Sequence, residues 1–286
     1  MTAFHTLKAA GTRARSAKWA LRASQGEPEA RGLRILFYHR ISDDRDELAV
    51  SPRRFRRHVD YLASQCYRVV DVVEAAALLD SGDPPPRTVG LSFDDGYLDV
   101  AEQALPLLAE RGFRATVFVS PAVIDGWATF DWYDRQPPLL AWEEIVELDR
   151  EGTLRFEAHS LTHPNLLKLR EAAAREEIEG SKAALEARLG REVRAFSYPS
   201  GLFGLRERGL VAAAGYRVAV SCEPGVNVRG TDRLSLRRVQ IDRRDGLLDF
   251  RAKLGGGHDS PPPLRALYRR RYGAGAGSLR LASSRE

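Results

Sequence analysis

The stretch LSFDDGYLD, residues 91–99, ends an apolar run on two adjacent carboxylates, Asp94 and Asp95, followed by a glycine. Two like charges at the end of a buried strand repel, and a bound cation is the commonest way to offset that repulsion. A second stretch, HSLTHP, sets His159 and His163 four residues apart. Pro164 disfavours the helical region at His163, so the spacing predicts a loop closing two imidazoles around one point rather than a helical pair. Two neutral imidazoles and one carboxylate leave positions open on zinc or a similar divalent ion, the usual arrangement for hydrolysis. A structural zinc takes a fourth protein ligand, and neither Cys66 nor Cys222 is placed to supply one. Each piece alone is weak, because DDG is commonly a turn and a lone HxxxH is commonly a chance pair. Their order along the chain, and their position at strand ends, joins them.

The elements that must carry these residues alternate. Apolar, β-branched runs at 32–39, 87–93, 114–120, 154–159, 193–199 and 216–222 predict strands. Helical spacing marks 51–65 (Phe55, Val59, Leu62), 99–112 and 170–190. Such alternation predicts a parallel sheet closed or covered by helices. His39, the Asp94–Asp95 pair, His159 and the turn after Tyr198 each follow a predicted strand, and in parallel barrels that edge is where side chains from several strands converge. Trp127, Trp132, Tyr133 and Trp142 precede His159 and suit either ordinary packing or a wall on which a sugar stacks. His5 and His58 read as a solvated tail and the polar face of a helix.

Composition bounds the alternatives. With 286 residues, 43% of them hydrophobic, the chain can bury one sizeable core. The net charge of +5 sits at the ends: residues 1–34 carry seven basic against two acidic residues, and 251–286 carry eight against two. Between them 29 basic residues face 35 acidic ones, which makes nucleic acid a poor partner for the body. The two distant cysteines read as buried apolar residues in a reducing compartment. Charges recur from Lys8 to Arg22, so no secretory signal is expected, and no uncharged apolar run nears the roughly 20 residues that span a bilayer. The expectation is a cytoplasmic protein, at most peripheral to the inner face of the membrane. Three regions are expected: a basic N-terminal tail or weakly amphipathic helix at 1–32, an α/β domain at 33–260, and a basic flexible tail at 261–286 that includes Arg269 to Arg271. Phe4, Leu7, Ala14 and Leu21 fall to one side of the first segment, with Lys8, Arg15 and Arg22 elsewhere. That is a weak interfacial pattern suited to an anionic membrane, beside the plainer reading of a disordered basic tail.

With these motifs in order, the chain resembles the polysaccharide deacetylases of the NodB-homology type, carbohydrate esterase family 4. SFDDG resembles their first motif, HSLTHP the second and FSYPSG (196–201) the third, and the likeness covers roughly 33–255. FYHRIS (37–42) and LRRVQID (236–242) resemble a branch whose end motif has moved to the N-terminal side. The resemblance implies a distorted (β/α) barrel of about seven parallel strands and hydrolysis of an N-acetyl amide on an amino sugar. It implies one divalent ion, zinc by preference, on Asp95, His159 and His163, with Asp94 off the metal as the base. The Ser200 backbone N–H is implied as a donor to the oxyanion, and His39 or His258 as the acid for the leaving amine, His39 preferred. Ser197 and Ser200 depart from the family, standing where many relatives have an arginine and a tyrosine. Arg238 is the candidate to replace that arginine. A deacylase of a non-carbohydrate amide and a catalytically silent carbohydrate-binding module are the alternatives, and retention of a base off the metal weighs against the second.

Overall fold

In a computed structural model the described residues are 2–25, 32–82 and 84–259, with side chains described from residue 11 onward. The expected C-terminal tail, and the side chains of Phe4, His5, Leu7 and Lys8, lie outside that set. The chain runs α1 (Thr2–Ser24), β1 (Arg34–Tyr38), β2 (Arg40–Ile41), β3 (Ala49–Val50), α2 (Pro52–Ser64), β4 (Arg68–Val70), α3 (Val72–Ser81) and β5 (Thr88–Asp94). A π-helical turn (Val100–Ala104) then leads into α4 (Leu105–Glu110), β6 (Ala115–Val119), α5 (Pro121–Ile124), α6 (Trp142–Glu151), β7 (Leu154–Ala158) and α7 (Glu171–Leu189). Last come β8 (Ala195–Ser197), α8 (Leu205–Ala213), β9 (Val218–Val220), β10 (Val239–Gln240) and α9 (Leu247–Leu254).

The main sheet is parallel, in the order β10-β1-β5-β6-β7-β8-β9, with β4 added beside the first half of β5. It curls until one short segment meets both edges. Leu36 of β1 pairs with Val239, while Leu236, three residues earlier, pairs with Val220 of β9. This is the barrel of about seven parallel strands that the resemblance implied. The strands RILFY, TVGLSFD and ATVFV are buried at every position, as parallel strands covered on both faces must be. Gly90 makes the closest packing possible: a Cβ there would lie 3.0 Å from Ile35 Cγ1 and 3.3 Å from Ala75, under α3.

Two expectations about single residues are corrected. His58 is not on the solvated face of α2. It is buried with Phe55, Val59 and Leu62, stacks on Phe250 at 4.3 Å, and places Nδ1 3.1 Å from the Tyr38 hydroxyl. The inward stripe of α2 is one residue wider than the apolar pattern because α9 covers it. Nor are the cysteines a buried pair. Cys66 is exposed in the turn that ends α2, and Cys222 is half-buried just beyond β9.

Burial, with the Arg54 and Lys253 charges nearby, lowers the His58 pKa from 6.5 to about 3, so the ring is neutral at pH 7. As the pH falls the unfolded chain takes up this proton first. The stability tied to the neutral ring is therefore complete above about pH 6.5 and is lost progressively towards pH 3. Denaturant midpoints of the wild type should fall more steeply between pH 7 and 5 than those of His58→Phe. That variant keeps the stack but starts about 1–3 kcal/mol lower through the unpaired Tyr38 hydroxyl. Parallel curves would show that His58 does not set this slope.

Candidate metal centre and active site

The three motif loops lie at one end of the barrel, after β5, β7 and β8. Six non-glycine residues among those described have positive φ, and four of them fall in these loops: Asp95 (77°), Ser160 (62°), His163 (62°) and Ser200 (56°). Each costs of order 1–3 kcal/mol and persists only where the surroundings dictate it. Pro164 does exclude the ordinary helical region at His163, and the residue turns left-handed instead of extended. At the first loop Gly96 follows Asp95 with φ 75°, and a Cβ there would come within 2.7 Å of Val119. The second loop is clamped from α7. Glu177 accepts hydrogen bonds from Leu161 N (3.0 Å), Thr162 N (2.8 Å) and Thr162 Oγ1 (2.6 Å).

The two aspartates have unlike surroundings. Asp94 is gripped by Arg238, whose Nη1 and Nη2 donate to Oδ1 and Oδ2 at 2.6 and 2.8 Å. Arg238 is fully buried. It also donates to the Ser221 carbonyl (3.0 Å), Ser92 Oγ (3.2 Å) and Ser197 Oγ (2.9 Å), and its guanidinium lies 4.3 Å from the Phe37 ring centre. Burial alone would raise the Asp94 pKa, but the Arg238 charge, with His159 behind it, overrides burial and holds the carboxyl at about 2. For Asp95 both burial and the Asp94 charge push the pKa well up, and its buried Oδ1 has no hydrogen-bond partner among the described residues.

That orphaned oxygen lies 3.6 Å from His159 Nε2 and 3.8 Å from His163 Nε2, and the two nitrogens are 3.2 Å apart. Ligands held about 2.0–2.1 Å from a tetrahedral ion sit about 3.3 Å from one another. His159 Nδ1 is 2.7 Å from the Ser197 carbonyl, which only accepts, so Nδ1 carries the proton and Nε2 a lone pair. A proton on His163 bridges the two rings but leaves Asp95 Oδ1 unanswered, whereas a cation answers all three atoms. Asp95, His159 and His163 are the one cluster among the described residues with that ligand spacing. Asp94 Oδ2 is 4.0 Å from His159 Nε2, adjacent to the trio but committed to Arg238.

His39, directly after β1, is half-buried. Burial lowers its pKa to about 4, the Asp94 charge opposing and Arg238 assisting, and its Nδ1 has no partner among the described residues. Ser200 is exposed in the turn after β8, and its N–H has no partner among the described residues. His258 is not at this site. Its Nε2 is 3.0 Å from Ser16 Oγ of α1, and Ser16 in turn donates to Asp249 of α9. It therefore fastens two helices together and is withdrawn as an acid. The aromatic residues divide: Trp132 stacks on Phe130 at 4.6 Å and meets the His163 ring edge at 5.0 Å, and Tyr133 donates to Asp46. Trp142 packs under Arg188, and Trp127 is 85% exposed. Sequence reasoning missed Tyr97, whose buried hydroxyl lies beside Asp95 without a hydrogen-bond partner among the described residues, and Glu177, which only its place on α7 reveals.

Residues 81–219 match the profile of the family described as polysaccharide deacetylase. Residues 81–219 thus carry a polysaccharide deacetylase domain. It is similar to YxkH of Bacillus subtilis, which is named for the same family, with 28% identity over 210 residues covering 73% of this chain and 71% of that protein. The poly-beta-1,6-N-acetyl-D-glucosamine N-deacetylase of Staphylococcus aureus is 23% identical over 197 residues, or 66% of each chain. Among solved structures, IcaB from Ammonifex degensii superposes with a TM-score of 0.68 at 24% identity, covering 82% of this chain and all of that one. The Streptococcus pyogenes deacetylase PplD gives 0.66 at 23%, covering 78% and 98%. These two likenesses concern the fold.

Arg238 comes from the segment that closes the barrel, and the short Ser197 side chain leaves room for it. Removing one partner of a buried ion pair strands the other charge, at a cost of about 3–5 kcal/mol. Arg238→Met should lower unfolding stability at pH 7 by that amount and recover part of it in Arg238→Met/Asp94→Asn. A double variant no more stable than the single one would show that Arg238 does not act through Asp94.

Proposed function

We propose that this chain hydrolyses the N-acetyl amide of an amino sugar with one divalent ion, zinc by preference, held by Asp95, His159 and His163. The observation that carries the reading is the pairing of a one-carboxylate, two-imidazole cluster with a second carboxylate kept off it by a buried arginine. When bound, the cation supplies acidity to a water molecule and polarises the amide carbonyl. Asp94 is ionised at any physiological pH and fixed in direction by Arg238, so its oxygens accept the proton of the attacking water. His39, directly after the strand beside that of Asp94, is the proposed acid that protonates the departing amine. The Ser200 N–H is the proposed backbone donor to the developing oxyanion.

For the substrate, the named activity of the Staphylococcus aureus relative supports an N-acetylglucosamine polymer or oligomer. Trp127 offers an exposed aromatic face beyond β6, on the same end of the barrel as the site. Acetate and free amine should appear in equal amounts from N-acetylglucosamine oligomers. Activity should vanish on chelation and return with zinc, and full activity in a demonstrably metal-free sample would overturn the mechanism. Asp94→Asn should keep zinc and lose at least about a hundredfold in turnover. Asp95→Asn and His163→Ala should instead lose zinc affinity, and His39→Ala should keep zinc while slowing amine departure. Equal zinc loss in Asp94→Asn, Asp95→Asn and His39→Ala would show that these roles are misassigned.

A further inference from the structure

The segment before the barrel forms a 23-residue helix with no acidic residue, and it is seated on α9 by one face. Ser16 is fully buried, accepts no solvent, and joins Asp249 (2.6 Å) and His258 (3.0 Å). Trp19 lies over the glycines of the LGGGH segment. A Cβ at Gly255 would be 2.6 Å from Trp19 Nε1, and one at Gly257 would be 2.7 Å from Trp19 Cβ. These glycines are what allow the indole so close, and they fix which side of α1 faces away.

The outward side is unusual for a surface helix. Ala14, Ala17 and Leu21, at helical spacing, are all exposed, Leu21 by 60%. Exposed Arg13 borders this apolar stripe on one side and Lys18 on the other. The packed side is thus built from Ser16 and Trp19, and the apolar stripe is left to face outward between basic residues. Near the Ser16 contact, Leu247 and Leu248 of α9 add two more exposed apolar side chains, 38% and 46%. The body between residues 35 and 250 has 29 basic and 35 acidic residues, so among the described elements α1 is suited to approach an anionic surface. Nucleic acid makes no use of a leucine and two alanines at the centre of the contact face, whereas the apolar–polar boundary of a bilayer accepts both features.

We propose that α1 is a docking element for an anionic lipid bilayer, locked on the barrel by Ser16 and Trp19 with Arg13, Lys18 and Leu21 turned to the lipid. The proposal is independent of the catalytic reading, since binding is measured without substrate. The experiment is co-sedimentation of the full chain with phosphatidylcholine vesicles, with and without phosphatidylserine. Binding should require phosphatidylserine and disappear in about 0.5 M salt, where charge interactions reach only about 4–5 Å. Each basic residue near such a surface contributes about a fivefold factor. Arg13→Glu/Lys18→Glu should therefore weaken binding at least about twentyfold with an unchanged thermal midpoint, and Leu21→Gln should weaken it with no change in charge. Undiminished binding by the charge-reversed variant, equal binding to neutral vesicles, no binding at all, or tighter binding to duplex DNA would each overturn the proposal.

Discussion

A single buried ion pair, Arg238 with Asp94, gives two adjacent aspartates different chemistry. Without it, two carboxylates at the end of one strand share one environment and compete for one cation. With both Asp94 oxygens in the guanidinium fork, only Asp95 is left to join the histidines. The cost of burying Arg238 is met by complete satisfaction: Asp94, two serine hydroxyls, a backbone carbonyl and the face of Phe37 all receive it. Buried pairs of this kind add little net stability, yet breaking one is severe. The arrangement is therefore better understood as fixing geometry than as holding the barrel together.

The barrel meets the remaining requirement, which is to bring groups from distant parts of the chain to one end and keep them there. Parallel strands place His39, Asp94 and His159 at the same end of the sheet, at the ends of β1, β5 and β7, and left-handed residues at Asp95 and His163 turn the last side chains inward. Packing and hydrogen bonds hold those turns: Val119 against Gly96, Glu177 on the backbone of the second loop, and Ser120, whose hydroxyl donates to the His159 carbonyl at 2.8 Å. The same closure of the sheet that joins β9 to β1 delivers Arg238. Fold and site thus depend on one another at that segment.

Much of this was legible in the sequence because strand ends and motif order carry information together. The six strong strands and the helices at 51–65 and 170–190 announce themselves by apolar pattern, and DDG and HSLTHP name the candidate metal cluster. Arg238 was legible only through the absence of an arginine at Ser197. Its reach to Asp94 depends on barrel closure, which no local pattern encodes. The short β4, the three-residue approach of β10 and the Glu177 clamp were hidden for the same reason, being defined by partners far along the chain. His58 and His258 were misread because a histidine on a helix or beside glycines looks solvated until the covering element is known. In both cases that element includes α9, whose own apolar signal is slight.

A crystal structure of the zinc-loaded protein with anomalous data at the zinc edge tests most directly whether Asp94 is kept off the ion that Asp95 is proposed to bind. One peak is expected within about 2.0–2.2 Å of Asp95, His159 Nε2 and His163 Nε2, with both Asp94 oxygens still in the Arg238 fork. A peak ligated by Asp94, or an Arg238 fork opened on loading, would contradict that assignment.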